Sequence, residues 1–372
     1  MKKTMLLLLA VLCSFMLSAC GRNNNEYLVI EEYLPPAQGP NSQDGKIVVK
    51  NYNQLISAIL ELAYSGTSEG SIVFDSAYDG DTTEDMASAC WSVRTQDALC
   101  TYCVENIAYE LNKIVTINEA TVYLSYSDVT EKPENIRHVS FSSGAEAVLK
   151  NLIQDKNKRV VLLVEHSDYS PEDMAGVITS IYRENPTIVP TMPVTSVDMY
   201  RGSGSQRLYD ISINYGLNTD ELNERSAQLM ALDAFAKLDT ANMDEVQRAY
   251  AACEYLIANC SNTGSSEQNT AYSALVEQEA NSEGIAFAFV ELCRQLDLEC
   301  RIVYGQLDWQ EYCWNIVKLD GVYYHADISA AMSNGLEYRF LKNDESFWGL
   351  YRWDVASYPK CTGNLDYSEE VF

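Results

Sequence analysis

Between residues 46 and 201 one order of elements occurs twice, and that alternation constrains the fold more than any other feature of the chain. In residues 46–125 the strand-like Ile47-Val48-Val49 leads into a helical pattern over 54–63. An apolar run at 71–74, a helical pattern over 104–114 and a strand-like segment at 120–124 follow. In residues 138–201 a strand at 138–141 precedes a helix over 145–154, a strand at 160–164, a helix over 171–184 and a strand at 194–200. Alternating elements pack as layers of sheet and helix, which makes 46–216 an α/β domain with a duplicated βαβαβ pattern. A spacing of roughly 90 residues, met only twice, is no solenoid period. Ser170-Pro171-Glu172-Asp173 is a strong helix start: a hydroxyl cap, proline at the first helical position, and acids in the first turn. No catalytic motif falls in this domain. His138 and His166 have no nucleophile beside them in sequence, which leaves the domain a scaffold or recognition role.

The first 45 residues read as address and tether. Lys2 and Lys3 precede a nearly unbroken apolar run over 5–17, too short to span a bilayer and of signal-peptide form. The run closes on Leu17-Ser18-Ala19-Cys20, which resembles the lipobox of bacterial lipoproteins. The resemblance implies cleavage after residue 19, a lipid on Cys20 and a chain anchored at the outer face of a membrane. Residues 20–45, rich in Asn, Pro, Gly and Ser, would be the tether.

About 330 residues remain, enough for two domains. Two lysines and no acids leave with residues 1–19, which takes the net charge of −27 to −29. Such a chain is a poor partner for nucleic acid or anionic lipid. Of eleven cysteines, Cys13 leaves with the leader and Cys20 is the lipid site. Nine stay behind, and an odd number leaves at least one thiol unpaired in a monomer. Cys100-Thr101-Tyr102-Cys103 has the spacing of a redox pair or half a metal site, but no histidine lies near it to complete a zinc set, so a structural disulfide or a pair of buried thiols is the plainer reading; no cofactor motif occurs elsewhere.

After a linking helix over 217–239, residues 240–372 form a second domain. Met243, Val246, Tyr250, Cys253, Ile257 and Cys260 make one helical stripe. Cys253 and Cys260 are about 10 Å apart along it, too far to bond each other. Another helix should begin at Ser282, whose hydroxyl would cap it. Asp320-Gly321 is a two-residue hairpin turn. Folding about it pairs Leu319 with Val322, Ile316 with His325 and Trp314 with Asp327. Tyr312 is then diagonal to Asp327, roughly 7 Å away, and its neutral phenol donates a hydrogen bond there.

Two segments of this second half carry a family resemblance. Asn281-Ser282-Glu283-Gly284-Ile285-Ala286 is similar to the Val-Cys-Glu-Gly-Tyr-Ala of transglutaminase-like cysteine hydrolases. Tyr312-Cys313-Trp314-Asn315-Ile316-Val317 is similar to their His-Ala-Trp-Asn-Ile-Val. The resemblance covers about residues 240–362 and implies a papain-like α+β domain. By it, Ser282 stands where the nucleophilic cysteine belongs, Tyr312 where the histidine belongs, and Asp327 matches the third position. Three readings follow. In the first, a non-catalytic domain binds a peptide or cell-wall fragment in a cleft lined by Trp314, Tyr272 and Trp309. In the second, Ser282 and Asp327 work as a weak amidase or acyltransferase, with His325 as a surrogate base. In the third, the first domain docks a partner and the second is structural. Cys313 is turned by strand alternation to the face opposite Tyr312 and belongs to the core.

Overall fold

A computed structural model describes residues 41–43, 45–114, 117–235 and 240–365, all within one compact unit, Tyr33–Phe372. The leader, Cys20 and nearly all of the tether lie outside the described residues. Among the described residues no helix is long and apolar enough to cross a membrane.

The two halves of the first domain have the same topology. The first runs β1 (Asn41–Gln43), β2 (Lys46–Val49), α1 (Tyr52–Tyr64), β3 (Glu69–Phe74), α2 (Thr82–Gln96), α3 (Ala98–Cys103), β4 (Val104–Ile114) and β5 (Ile117–Tyr126). The second runs β6 (Arg137–Phe141), α4 (Ser142–Gln154), β7 (Arg159–His166), α5 (Pro171–Glu184), β8 (Val194–Arg201) and β9 (Arg207–Asn214). In each, a parallel strand pair is followed by an antiparallel pair, in the orders β2-β3-β5-β4 and β6-β7-β9-β8. The duplication is therefore present and carries one strand more per copy than the sequence suggests. Residues 104–114, expected as a helix, form β4. Glu105, Glu110, Leu111 and Lys113 favour a helix locally, but pairing along the length of β5 overrides that preference. The second long helix of this half is instead α2, where Met86, Ala89, Cys90 and Val93 form the buried stripe.

β7 explains how the layers join. Val160, Leu162 and Val164 face one core, which continues into the C-terminal half. Val161 and Leu163 face the other, with α1, α2 and α3. A strand covered on both sides reads as an unbroken apolar run, which is the pattern at 160–164.

The chain continues through α6 (Thr219–Met230), α7 (Glu245–Asn259), the short parallel strands β10 (Ser261–Asn262) and β11 (Glu279–Ala280), and α8 (Ser282–Gln295). Then come β12 (Glu299–Leu307), β13 (Gln310–Leu319), β14 (Val322–Ala326), α9 (Ile328–Asn334), α10 (Leu336–Arg339), β15 (Phe340–Lys342), α11 (Asp344–Phe347) and β16 (Tyr351–Trp353). The linking helix stops at Met230, earlier than expected, and residues 236–239 lie outside the described residues. The third sheet has the order β15-β14-β13-β12-β16. Asp320 and Gly321 both take positive φ, 50° and 81°, as a two-residue hairpin turn requires. The ladder holds Leu319 to Val322 and Ile316 to His325 but ends at Asn315 and Ala326. Asp327 has left the strand and caps α9, accepting from the Ala330 N–H.

Every residue of α8 from Gly284 to Cys293 is buried. A helix buried all round is the centre of its domain, and the sheet is built against it. Cys313 and Val317 of β13 share the core of α8, and Asn315 Nδ2 donates to Ala286 O at 3.0 Å. Trp314 and Ile316, on the other side of the strand, pack with Val303, Phe347, Tyr351 and Cys361.

Candidate functional site

The start of α8 is the place to look for chemistry. Asn281 caps the helix, its side chain accepting from the Glu283 and Gly284 N–H groups at 3.0 Å each. The cap is thus one residue earlier than expected, and Ser282 is the first helical residue, half-buried. Both residues are good caps; the extended backbone at Asn281 (φ −86°, ψ −177°) decides between them. Gly284 has a spatial reason. A Cβ there would stand 2.9 Å from Gln268 O and Thr270 O, so only glycine lets the helix start lie against that backbone.

Above this start sits the end of α5. The Tyr182 ring meets Phe287 edge-on at 5.2 Å, and the Arg183 guanidinium lies over the Tyr304 ring at 3.8 Å. Tyr304 and Asn269 donate to the Glu283 carboxylate at 3.4 and 3.1 Å. Cys313 faces this side. Its thiol is pushed well above the ordinary range by burial, then by the Glu283 and Asp327 carboxylates, with Arg183 opposing. A thiol held protonated in this way is not a nucleophile.

Tyr312 lies on the other side of β13, against the Trp314 cluster, rather than toward the helix start. Its hydroxyl donates to Asp327 Oδ1 at 3.1 Å. Asp327 Oδ2 accepts from the Tyr351 hydroxyl at 2.7 Å, and Oδ1 also accepts the Ala330 N–H at 2.8 Å. The carboxylate is 1% exposed and raised in pKa by burial, which these donors and Arg339 only partly offset. Burial also pushes the Tyr312 and Tyr351 phenols upward, and Asp327 raises both further. Two protonated phenols therefore hold both oxygens of the Asp327 carboxylate. Tyr351 gave no signal in the sequence: it comes from a three-residue strand at the far edge of the sheet.

His325 cannot act as the surrogate base. It is fully buried, stacked on Phe347 at 4.6 Å, with Trp314 Nε1–H donating to its Nδ1 at 2.9 Å. An indole nitrogen only donates, so Nδ1 is the acceptor and the proton of the neutral ring sits on Nε2, 3.0 Å from Asp344 Oδ1. Cys361 lies beside them, and the three side chains form the one group with metal-ligand potential among the described residues. The tautomer argues against a metal there. Nε2 could bind an ion only by losing its proton, and Nδ1 is already engaged by a donor. The same bond denies Cys361 a base, and burial and Asp344 push that thiol upward.

Burial lowers the pKa of His325 from 6.5 to about 4, against the opposing pull of Asp344. Between these values the unfolded chain carries a proton that the native chain does not. The His325 contribution therefore weakens as pH falls through this window, by about 3 kcal/mol across it. Asp327, raised by burial, titrates in the opposite sense. Urea unfolding of wild type and His325→Gln from pH 7 to pH 4 isolates the histidine: the variant should show the flatter profile. Parallel profiles would contradict the assignment.

Of the three residues expected to line a cleft, two face inward. Trp314 is 1% exposed, enclosed by Phe347, Tyr351 and Trp353. Tyr272 is buried and donates to Gln228 Oε1 at 2.5 Å, with Arg225 over its ring. Trp309 is 68% exposed, in the β12–β13 turn at φ 67°, a conformation uncommon for a bulky residue. The Arg352 guanidinium covers one face of its indole at 3.4 Å. A cavity of about 440 Å³ lies at the other end of α8, beside Leu229, Phe235, Glu291 and Arg294, away from Ser282.

Residues 234–328 match the transglutaminase-like superfamily. That segment holds α8, β12, β13, β14 and Asp327, and this part of the chain is a transglutaminase-like domain. Among solved structures the chain is similar to a TGase (8% identity, 48% of this chain and 52% of that one, TM-score 0.24). It is similar also to a protein assigned as a cysteine protease from Cytophaga hutchinsonii (12% identity, 37% and 64%, TM-score 0.24). A third, assigned as a protease from Parabacteroides distasonis, shares 9% identity over 73% of this chain and 64% of its own, with a TM-score of 0.21. The chain spans less than two thirds of the length of each. No curated protein matches it.

Proposed function

We propose that this chain is a non-catalytic transglutaminase-like protein, anchored at the outer face of a membrane through Cys20, that binds a peptide or cell-wall fragment. The observation that carries the first part is the state of Asp327. Its two oxygens take the Tyr312 and Tyr351 hydroxyls and the first turn of α9, and the three imidazoles are engaged elsewhere, His325 with Trp314 and Asp344, His166 with Ser205 and His138 against Tyr64. Acyl transfer by a hydroxyl needs a base to accept its proton, and a protonated phenol is none. The family architecture thereby serves as a scaffold in which the catalytic carboxylate has become a structural acceptor.

Binding is assigned to the exposed end of the third sheet rather than to the helix start, where Ser282 is half-buried and Glu283 is tied to Tyr304 and Asn269. Arg352 holds the Trp309 ring flat and leaves its other face toward solvent. Trp348, 60% exposed, is nearby in the chain segment leading to β16. A preset indole offers area at low entropic cost to a sugar ring or an extended peptide. Titration of the full chain with soluble peptidoglycan fragments and with acyl-donor peptides tests this. Trp309→Ala should weaken binding by roughly 3- to 10-fold. Equal affinity in the variant, or no binding by wild type, would remove the binding half of the proposal.

A further inference from the structure

The nine cysteines in the described residues are all free thiols, and eight of them are buried. Two are placed for a reaction that the degenerate site does not use. Cys293 lies in the last turn of α8, and Cys300 is the second residue of β12. The connection between them is short and tightly turned. Leu296 and Leu298 N–H both donate back to Cys293 O, at 3.0 and 2.9 Å, which sets the start of β12 beside the helix end. Strand alternation then decides where Cys300 points. Its neighbour at the same face, Ile302, belongs to the core under α8, and Cys300 packs against that core, where Cys293 is fully buried. Across this core the Cys300 thiol acts on the Cys293 thiol more strongly than Cys253 does.

We propose that Cys293 and Cys300 are a disulfide site, bridged when the chain meets a low-molecular-weight disulfide as oxidant. The Cys300 thiolate attacks the oxidant, releases one equivalent of thiol and forms a mixed disulfide. Cys293, giving its proton to solvent, attacks the Cys300 sulfur and releases the second equivalent. The chain loses two hydrogens and the oxidant gains them. The order follows from access: Cys300 is half-buried, whereas Cys293 is enclosed. Burial also pushes the Cys293 thiol well upward, which makes the second step the slow one. The bridge would pin the helix that begins at Ser282 to the sheet that carries Tyr312.

The full chain, incubated with oxidised glutathione, is read by intact mass and by tryptic mapping. Cleavage after Arg248, Arg294 and Arg301 puts Cys300 alone on the peptide 295–301 and Cys293 on a separate one, so only a bridge keeps them together. The expected result is the loss of two hydrogens, a linked pair of peptides whose fragmentation places the bond on Cys293, and no such loss in Cys300→Ser. Retention of both thiols as alkylated cysteines would overturn the proposal. So would a bridge from Cys300 to Cys253, or an unchanged loss of two hydrogens in Cys300→Ser.

Discussion

Asp327→Ala is expected to lower the unfolding free energy by about 4 kcal/mol, the largest stability loss of any polar substitution at this site. Three donors lose their acceptor at once: the Tyr312 and Tyr351 hydroxyls and the Ala330 N–H. A buried donor without a partner costs roughly 1–3 kcal/mol, and the one that caps α9 about 1. Relief of a carboxylate that burial already disfavours offsets part of this. Asp327→Asn keeps one acceptor oxygen and should lose about half as much. If instead the carboxylate only awaited a histidine, both substitutions would be nearly neutral. Urea unfolding midpoints with an unchanged slope are the readout. A loss under about 1 kcal/mol for Asp327→Ala would contradict the structural role.

The sequence shows much of the frame and little of what fills it. The duplicated order of elements was legible because β7 and β2 carry β-branched runs, and because α5 has both its cap and its proline. β4 was not, since its glutamates, leucine and lysine favour a helix and only the pairing with β5 makes it a strand. β9 could have been read from the alternation Tyr209, Ile211, Ile213 behind the turn at Gly204. The β13–β14 hairpin was fixed by Asp320-Gly321, and its register placed Tyr312 near Asp327. Register could not reveal that Tyr351 takes the second oxygen. Nor could it show that Trp314 faces a cluster closed by Phe347 and Trp353 rather than a groove. Those partners arrive from the tail, and an indole in a strand has the same sequence signature whether it meets solvent or other rings. The fate of His325 was hidden for the same reason, because Asp344 and Trp314 determine its tautomer.

Turnover is the other large effect, and the account predicts that there is none. Loss of a general base alone removes about 10²–10⁴-fold in rate. Here position 282 carries a hydroxyl rather than a thiol, and the thiols of Cys313 and Cys361 are held protonated without a base. Remaining rate would have to come from positioning alone, at a helix start whose Ser282 is half-buried. Incubation of the full chain with a fluorogenic peptide amide, with and without an amine acceptor, measures hydrolysis and acyl transfer together. The prediction is that wild type and Ser282→Ala both stay at the level of buffer and that a fluorophosphonate leaves Ser282 unlabelled. Turnover by wild type that disappears in Ser282→Ala would contradict it.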